Sequence, residues 1–278
     1  MGKEANSNIE RKSLYLDGMM GLVVGDALGV PVEFSSREER EQDPVKEMRG
    51  YGTYPVAKGS WSDDSSMAIY DYMKSKDVSI CGQRDENSNG NGSLMRILPV
   101  CIYLKYMQDE GKIDDAGAVK IVHDMSALTH AHIRSKMACG IYFFCVRELA
   151  ERSGTISELL QKAVDLAFFF YEKEAASSAE LGHFERIRDV DSLKGIPEGQ
   201  IKSGGYVIES IEALWCMLNT SSYQECVLKA VNLGHDTDTT AAIAGGLAGI
   251  YYGYDAIPEA WKCDIIRRRW IEDMCKSM

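Results

Sequence analysis

The chain has 278 residues, 45% of them hydrophobic, with 42 acidic against 31 basic side chains and a formal net charge of −11. That is enough apolar material for one large domain or two small ones. The acidic balance, with no run rich in Lys or Arg, excludes a nucleic-acid-binding surface.

Residues Met1 to Glu10 are polar and charged, lack the apolar core of a signal peptide, and give no expectation of export. No uncharged stretch reaches the length of a membrane span. The eight cysteines form no CxxC pair, and several lie in apolar helical runs such as Cys139 to Cys145. That pattern fits reduced, buried thiols in a cytoplasmic protein.

Residues 1–12 are expected as a disordered tail. Ser13 to Leu28 then reads as a helix with broad apolar coverage, and the interior glycines Gly18, Gly21 and Gly25 imply close helix packing. Asp26 lies within that apolar surround, either as a functional acid or as a buried acid bonded to a neighbouring helix end. Gly29 and Pro31 end the helix, and Val32 to Phe34 reads as a short extended piece. Ser35 to Ser60 is polar and Gly/Pro-containing, a surface loop whose run Glu38 to Glu41 is a solvated charge cluster. Trp61 returns to the core. Ser62, Asp63 and Asp64 form a first acid-and-hydroxyl cluster, opening a helix from Ser65 to about Lys74.

Val78 to Gly92 is irregular, and Ser93 to Val100 starts a helix. Asn and Gly ahead of a helix N-terminus, with Arg96 in the first turn, can hold a phosphate, although a plain loop-to-helix junction explains the same residues. Further helices are predicted over Asp114 to Met125, Ser135 to Ala150 and Ile156 to Glu174. His130 and His132, two apart, either cap helices or face a ligand. Ala175 to Ser203 reads as a polar segment, mobile at its centre. Helices follow over Val207 to Leu218 and Tyr223 to Leu233.

The second acid cluster is Asp236-Thr-Asp-Thr-Thr240, running straight into the small apolar segment Ala241 to Gly249. Carboxylates at i and i+2 do not share a helix face, so Asp236 and Asp238 converge only at a helix entry. An N-cap with spare acids explains this stretch alone. Two such clusters point instead to an all-oxygen site for a hard divalent cation, Mg²⁺, Mn²⁺ or Ca²⁺. A last helix is predicted over Trp261 to Met274. Strand periodicity is nearly absent, so the expectation is one all-α domain over residues 1–278, with both acid clusters at one end of the bundle.

The ordered segments Gly21-Leu-Val-Val-Gly-Asp-Ala-Leu-Gly-Val-Pro-Val-Glu-Phe34, Gly59 to Ser65, Asn89 to Pro99, Ser126 to His130, Gly205 to Glu209, Asp236 to Gly249 and Ile257 to Trp261 resemble the ADP-ribosylglycohydrolase family, of the type that acts on dinitrogenase reductase. They span residues 14 to about 262. The resemblance implies an all-α fold, an orthogonal helical bundle, and two divalent cations, Mg²⁺ or Mn²⁺, on Ser62, Asp63, Asp64, Asp236, Asp238 and Thr239. It implies a substrate of ADP-ribose joined to a protein side chain or small molecule, and free ADP-ribose as product. Asp63 and Glu33 are the candidates for proton transfer. The Asn91-Gly92-Ser93 backbone with Arg96 would cradle the diphosphate, and His130 and Tyr206 would line the ribose or adenine side.

Three features depart from the family pattern. Ser62 stands where Thr is usual, and His235 where Gly is usual. Between Asp64 and Asn91 there are only 26 residues and no Asp-Ile-Gly motif. Asp85 or Glu86 would then substitute for the acid of that motif. The alternative reading is a catalytically weak ADP-ribose-binding or structural, crystallin-like member.

Overall fold

The computed structural model describes residues 2–63 and 84–277, with the side chains of residues 2–13 left aside. In chain order its α-helices are α1 (Gly2–Gly29), α2 (Arg37–Gln42), α3 (Leu98–Asp109), α4 (Asp115–Ala127), α5 (Ile133–Ala150), α6 (Ile156–Tyr171), α7 (Ala175–Glu180), α8 (Glu185–Arg188), α9 (Val190–Lys194), α10 (Val207–Ile211), α11 (Leu214–Leu218), α12 (Tyr223–Asn232), α13 (Thr237–Tyr252), α14 (Glu259–Asp264) and α15 (Arg268–Ser277). The only strand-like pairing among the described residues is an isolated bridge, Gly90 with Tyr206. The fold is all-α. The chain forms two compact units, Met1–Ser66 with Thr220–Met278, and Met67–Asn219.

The first unit is built on α1 against α13. Met20, Val23, Val24 and Ala27 on α1, and Ala241, Ala242, Ala244 and Leu247 on α13, are all fully buried. Small residues bring the two backbones together. A methyl on Gly25 would stand 2.7 Å from the Ala241 carbonyl carbon, and one on Gly21 would stand 3.0 Å from Gly249 Cα. The stretch Leu14–Val32 is long and apolar enough to cross a membrane, but 94% of it is buried in the protein and it carries Asp17 and Asp26. It is therefore a core helix. Asp17 is satisfied by the Tyr254 N–H at 2.8 Å.

The second unit surrounds α5, whose residues from Met137 to Val146 are almost wholly buried. Helices α3, α4, α6 and α10 pack on it. Side chains end these helices in the expected way. Asp114 accepts from Gly117 N–H, and Thr155 and Glu158 form a reciprocal capping box.

Several expectations are corrected. The Val32 to Phe34 piece is not extended: Val30–Val32 is a 3-10 turn. The Ser35 to Ser60 loop contains α2, because Ser36 and Glu39 form a capping box that nucleates a turn. The Ala175 to Ser203 segment is ordered into α7, α8 and α9 joined by a 3-10 turn. Its Leu181, Phe184, Ile187, Val190 and Leu193 recur every third residue and are all buried. That is the stripe of a tightly wound chain, in which residues three apart share a face. The helix expected from Val207 to Leu218 breaks at Glu212, where the ladder tightens to i→i−3 bonds and the Glu212 carboxylate meets Arg186 at 2.6 Å. The last helix is split at Ile265 to Arg267, because Ile266 N–H bonds Gly59 and its carbonyl accepts the Trp61 indole N–H, both at 3.0 Å. The helix expected from Ser65 lies outside the described residues.

Candidate active site

The acid site lies in the first unit, where α1 ends beside the start of α13. Asp236 occupies the N-cap position of α13 but makes no side-chain capping bond. The end is tied instead by hydroxyls: Thr240 Oγ1 donates to Asp236 O at 2.7 Å, and Thr237 Oγ1 to Gly29 O at 2.9 Å. The Asp236 carboxylate therefore does not cap the helix. Asp238 and Thr239 are 3% and 4% exposed, and Asp238 Oδ1 accepts from Thr239 N–H at 2.9 Å.

Glu33 is brought to this helix end by a short backbone clasp. Phe34 N–H donates to His235 O and His235 N–H to Ser35 O, each at 2.7 Å. Both Phe34 and His235 take positive φ, 64° and 60°. This accounts for the His235 departure: the left-handed position suits the glycine usual in the family, and His adopts it with its side chain exposed. One carboxylate oxygen from each of Glu33, Asp236 and Asp238 lies within 4.8 Å of the other two. Thr53 fixes the far side, donating from N–H to Pro31 O and from Oγ1 to Glu33 O, each at 2.8 Å. Tyr54 then hydrogen-bonds the Glu33 carboxyl.

Burial raises the Glu33 pKa, and the charges of Asp236 and Asp63 add to that, while the Tyr54 hydrogen bond opposes it. Burial, followed by the bond to Glu33, pushes Tyr54 up to about 12. Asp26 is fully buried and both its oxygens accept the Ser62 N–H at 3.0 Å. Asp26 is thus a buried acid, and a partner it accepts from is the segment carrying Ser62 and Asp63. Ser62 is half-buried and Asp63 exposed. Asp64 lies outside the described residues.

A divalent cation fits this centre on the chemistry of its donors. Carboxylates this close would repel one another if all were ionised, and a cation among them relieves that repulsion. All the donors are hard oxygens, which suit a hard divalent cation.

The second unit holds the other predicted residues. The helix expected at Ser93 is corrected. Asn91 to Arg96 forms turns in which Leu94 and Met95 N–H both bond Asn91 O, and α3 begins only at Leu98. Pro99 has no N–H to give to the Met95 carbonyl, so the ladder restarts there. Arg96 is therefore not in the first turn of a helix. It is 4% exposed and donates to Thr129 Oγ1 at 2.6 Å. Ser93 is buried and accepts from Ser126 Oγ at 3.0 Å, while Asn91 Nδ2 donates to Ser210 Oγ at 2.8 Å. His130 Nδ1 bonds Thr129 Oγ1 at 2.8 Å, and its ring covers the glycine loop. A methyl on Gly92 would stand 2.8 Å from His130 Cε1, and one on Gly90 3.2 Å from Nε2. Burial, then the Arg96 charge, lowers the His130 pKa. His132 caps α5 through Nδ1.

Sequence reading missed three contributors: Tyr54, Thr129 and Arg134. Arg134, 4% exposed, donates to the Tyr206 hydroxyl at 2.9 Å. Only its place two residues after His132, at the entry of an apolar helix, could have marked it.

These features define a helical protein with an acidic, oxygen-donor centre. The chain belongs to the ADP-ribosylglycohydrolase family, whose model matches residues 7–71 and 70–278. It is thus an enzyme of the glycosidase class that acts on ADP-ribosyl bonds. It is 25% identical over 94% of its length to an ADP-ribosylarginine hydrolase of Pseudomonas putida, 76% of which is covered. It is 27% identical to the ADP-ribosyl-[dinitrogen reductase] glycohydrolase of Rhodospirillum rubrum, with 88% of each chain covered. A solved ADP-ribosylglycohydrolase-related protein complex superposes with a TM-score of 0.76 at 26% identity, covering 96% of this chain and 97% of that one.

Proposed function

We propose that this enzyme hydrolyses, with divalent cations, the glycosidic bond between ADP-ribose and a modified protein side chain or small adduct, releasing ADP-ribose. The observation that carries the reading is the convergence of Glu33, Asp236 and Asp238 within 4.8 Å in a member of this family. Two cations, Mg²⁺ or Mn²⁺, would be held by Ser62, Asp63, Asp64, Asp236, Asp238 and Thr239. When bound they supply Lewis acidity that activates water and orients ribose hydroxyls.

The chain's own residues do the rest. Cleavage builds positive charge on the ribose and negative charge on the leaving group. Glu33 and Asp63 are the carboxylates that take a proton from the attacking water and return one to the departing group. Glu33, held by the backbone clasp and Thr53, is fixed for that task. The Asn91-Gly92-Ser93 backbone and Arg96 bind the diphosphate, and His130 and Tyr206 bind the ribose or adenine side. The cysteines support a cytoplasmic setting: those described are free thiols, all buried but Cys263.

Release of ADP-ribose from an ADP-ribosyl-arginine peptide tests the reading, since the relative in Pseudomonas putida is named for that linkage. Release with Mg²⁺ or Mn²⁺ and none in EDTA is expected, and Asp238→Asn should abolish it. Normal turnover in that variant, or in EDTA, would refute metal dependence.

A further inference from the structure

Arg134 is a heavily engaged buried cation of the second unit. It sits at the start of α5, its N–H capped by His132 Nδ1 at 3.2 Å. From there its guanidinium joins four groups. Nε donates to Glu180 at 2.7 Å, Nη1 to the Tyr206 hydroxyl at 2.9 Å, and Nη2 meets His183 Nε2 at 2.9 Å and Glu86 at 3.5 Å. Replacing such a buried pair with apolar side chains is often neutral for stability, so stability alone does not account for it. What a guanidinium adds is a rigid fork that aims separate donors at separate targets.

One of those targets is the free end of a ring whose other end is already clamped. The Tyr206 backbone is held by Asn91 N–H to Gly205 O and Val207 N–H to Asn89 O, each at 3.0 Å. Its side chain is half-buried. With the hydroxyl tied to Arg134, the ring is pinned at both ends beside the Gly90 to Gly92 loop.

We propose that Arg134 is a positioning residue for ADP-ribose, fixing the Tyr206 ring as a preorganised flat surface for the adenine or ribose through its bond to the hydroxyl. This rests on Tyr206 lining the ADP-ribose site. Arg134 itself does not touch the ligand. Freezing one side chain in advance is worth about 3- to 10-fold in affinity.

The test is calorimetric binding of ADP-ribose with Mg²⁺ present, together with steady-state kinetics. Tyr206→Phe removes only the hydroxyl. Arg134→Lys keeps a charge for Glu180 but loses the fork. Each variant should weaken ADP-ribose binding about 3- to 10-fold and raise KM alike, with kcat within about twofold. The double variant should be no worse than either single one, because both remove the same bond. Tyr206→Phe binding like the unaltered enzyme, losses that multiply in the double variant, or a fall confined to kcat would overturn the proposal. If Arg134→Lys fails to fold, Tyr206→Phe alone decides. If the unaltered enzyme releases ADP-ribose from substrate and these variants bind normally, this inference alone fails. An unaltered enzyme that neither binds nor releases ADP-ribose refutes the functional reading beneath it.

Discussion

Gly29 is the point where the α1–α13 seam meets the acid site, and a single methyl there tests the link between packing and chemistry. In Gly29→Ala the new Cβ would fall inside the contact shell of Asp238 Cα and N and stand 2.6 Å from the Thr237 carbonyl carbon. Ordinary contact begins near 3.4 Å, so the backbones must part by about 1 Å. Overpacking of that kind costs about 1–3 kcal/mol. Displacing the Thr237 Oγ1 to Gly29 O bond puts about 1 kcal/mol more at risk. Alanine's better helix propensity returns about 1 kcal/mol. The expected net loss is about 2 kcal/mol, read from the urea midpoint at constant m-value. Because the displaced residue is Asp238, Mn²⁺ affinity should fall as well, by tenfold or more. Gly182→Ala is the control, since a methyl there would meet nothing within 4 Å. It should change neither quantity. A Gly29→Ala protein as stable as the unaltered one, with unchanged Mn²⁺ binding, would refute the idea that this seam sets the acid geometry.

Two further outcomes follow from single buried groups. Asp26→Asn keeps the shape but loses the charge that accepts the Ser62 N–H. Stability should fall by about 1–2 kcal/mol and cation affinity should drop, measured by urea melts and calorimetry; no change in affinity would mean Ser62 and Asp63 need no anchor. His123 bonds the Tyr171 hydroxyl at 2.9 Å, and burial lowers its pKa from 6.5 to about 4. The unfolded chain therefore takes up this proton first as pH falls. The group's contribution is complete above pH 6.5 and is lost toward pH 4, up to about 3 kcal/mol. His123→Gln should flatten the stability profile across that window, and an unaltered slope would show that carboxylates alone cause it.

The sequence carried the helices that are capped by their own side chains and striped at helical period, as at Asp114, Thr155 and Ser222. It carried the glycine seam, because interior glycines have few other uses in a helix. It could not carry the ends decided by distant partners. The break at Ile265 depends on Gly59 and Trp61, some two hundred residues away, and no local signal encodes that. The segment after Ala175 hides its helices because its apolar residues recur every third position rather than with the 3.6-residue period of an α-helix. Of the site, Asp236 and Asp238 were legible from their i, i+2 spacing at a helix entry. Tyr54 was hidden in a loop whose docking on Pro31 and Glu33 is tertiary, and Arg134 in a helix entry that looks like any other.

Glu33 bears on the short segment before Asn91, which lacks the family's Asp-Ile-Gly motif. The family match itself runs in two pieces that meet at residues 70–71, inside that segment. Among the described residues, the clasp to His235, the Thr53 bonds and Tyr54 hold the Glu33 carboxyl from within the first unit. If Glu33 handles the proton, Glu33→Gln should lower kcat by about 10²- to 10⁴-fold. ADP-ribose affinity should stay within a few-fold, since its proposed contacts are other residues. If Glu33 only holds a cation, the same variant should lose activity at low Mn²⁺ and regain it as Mn²⁺ is raised. Saturating Mn²⁺ separates the two. A kcat near that of the unaltered enzyme under saturation would remove Glu33 from the chemistry and return the role to Asp63 alone.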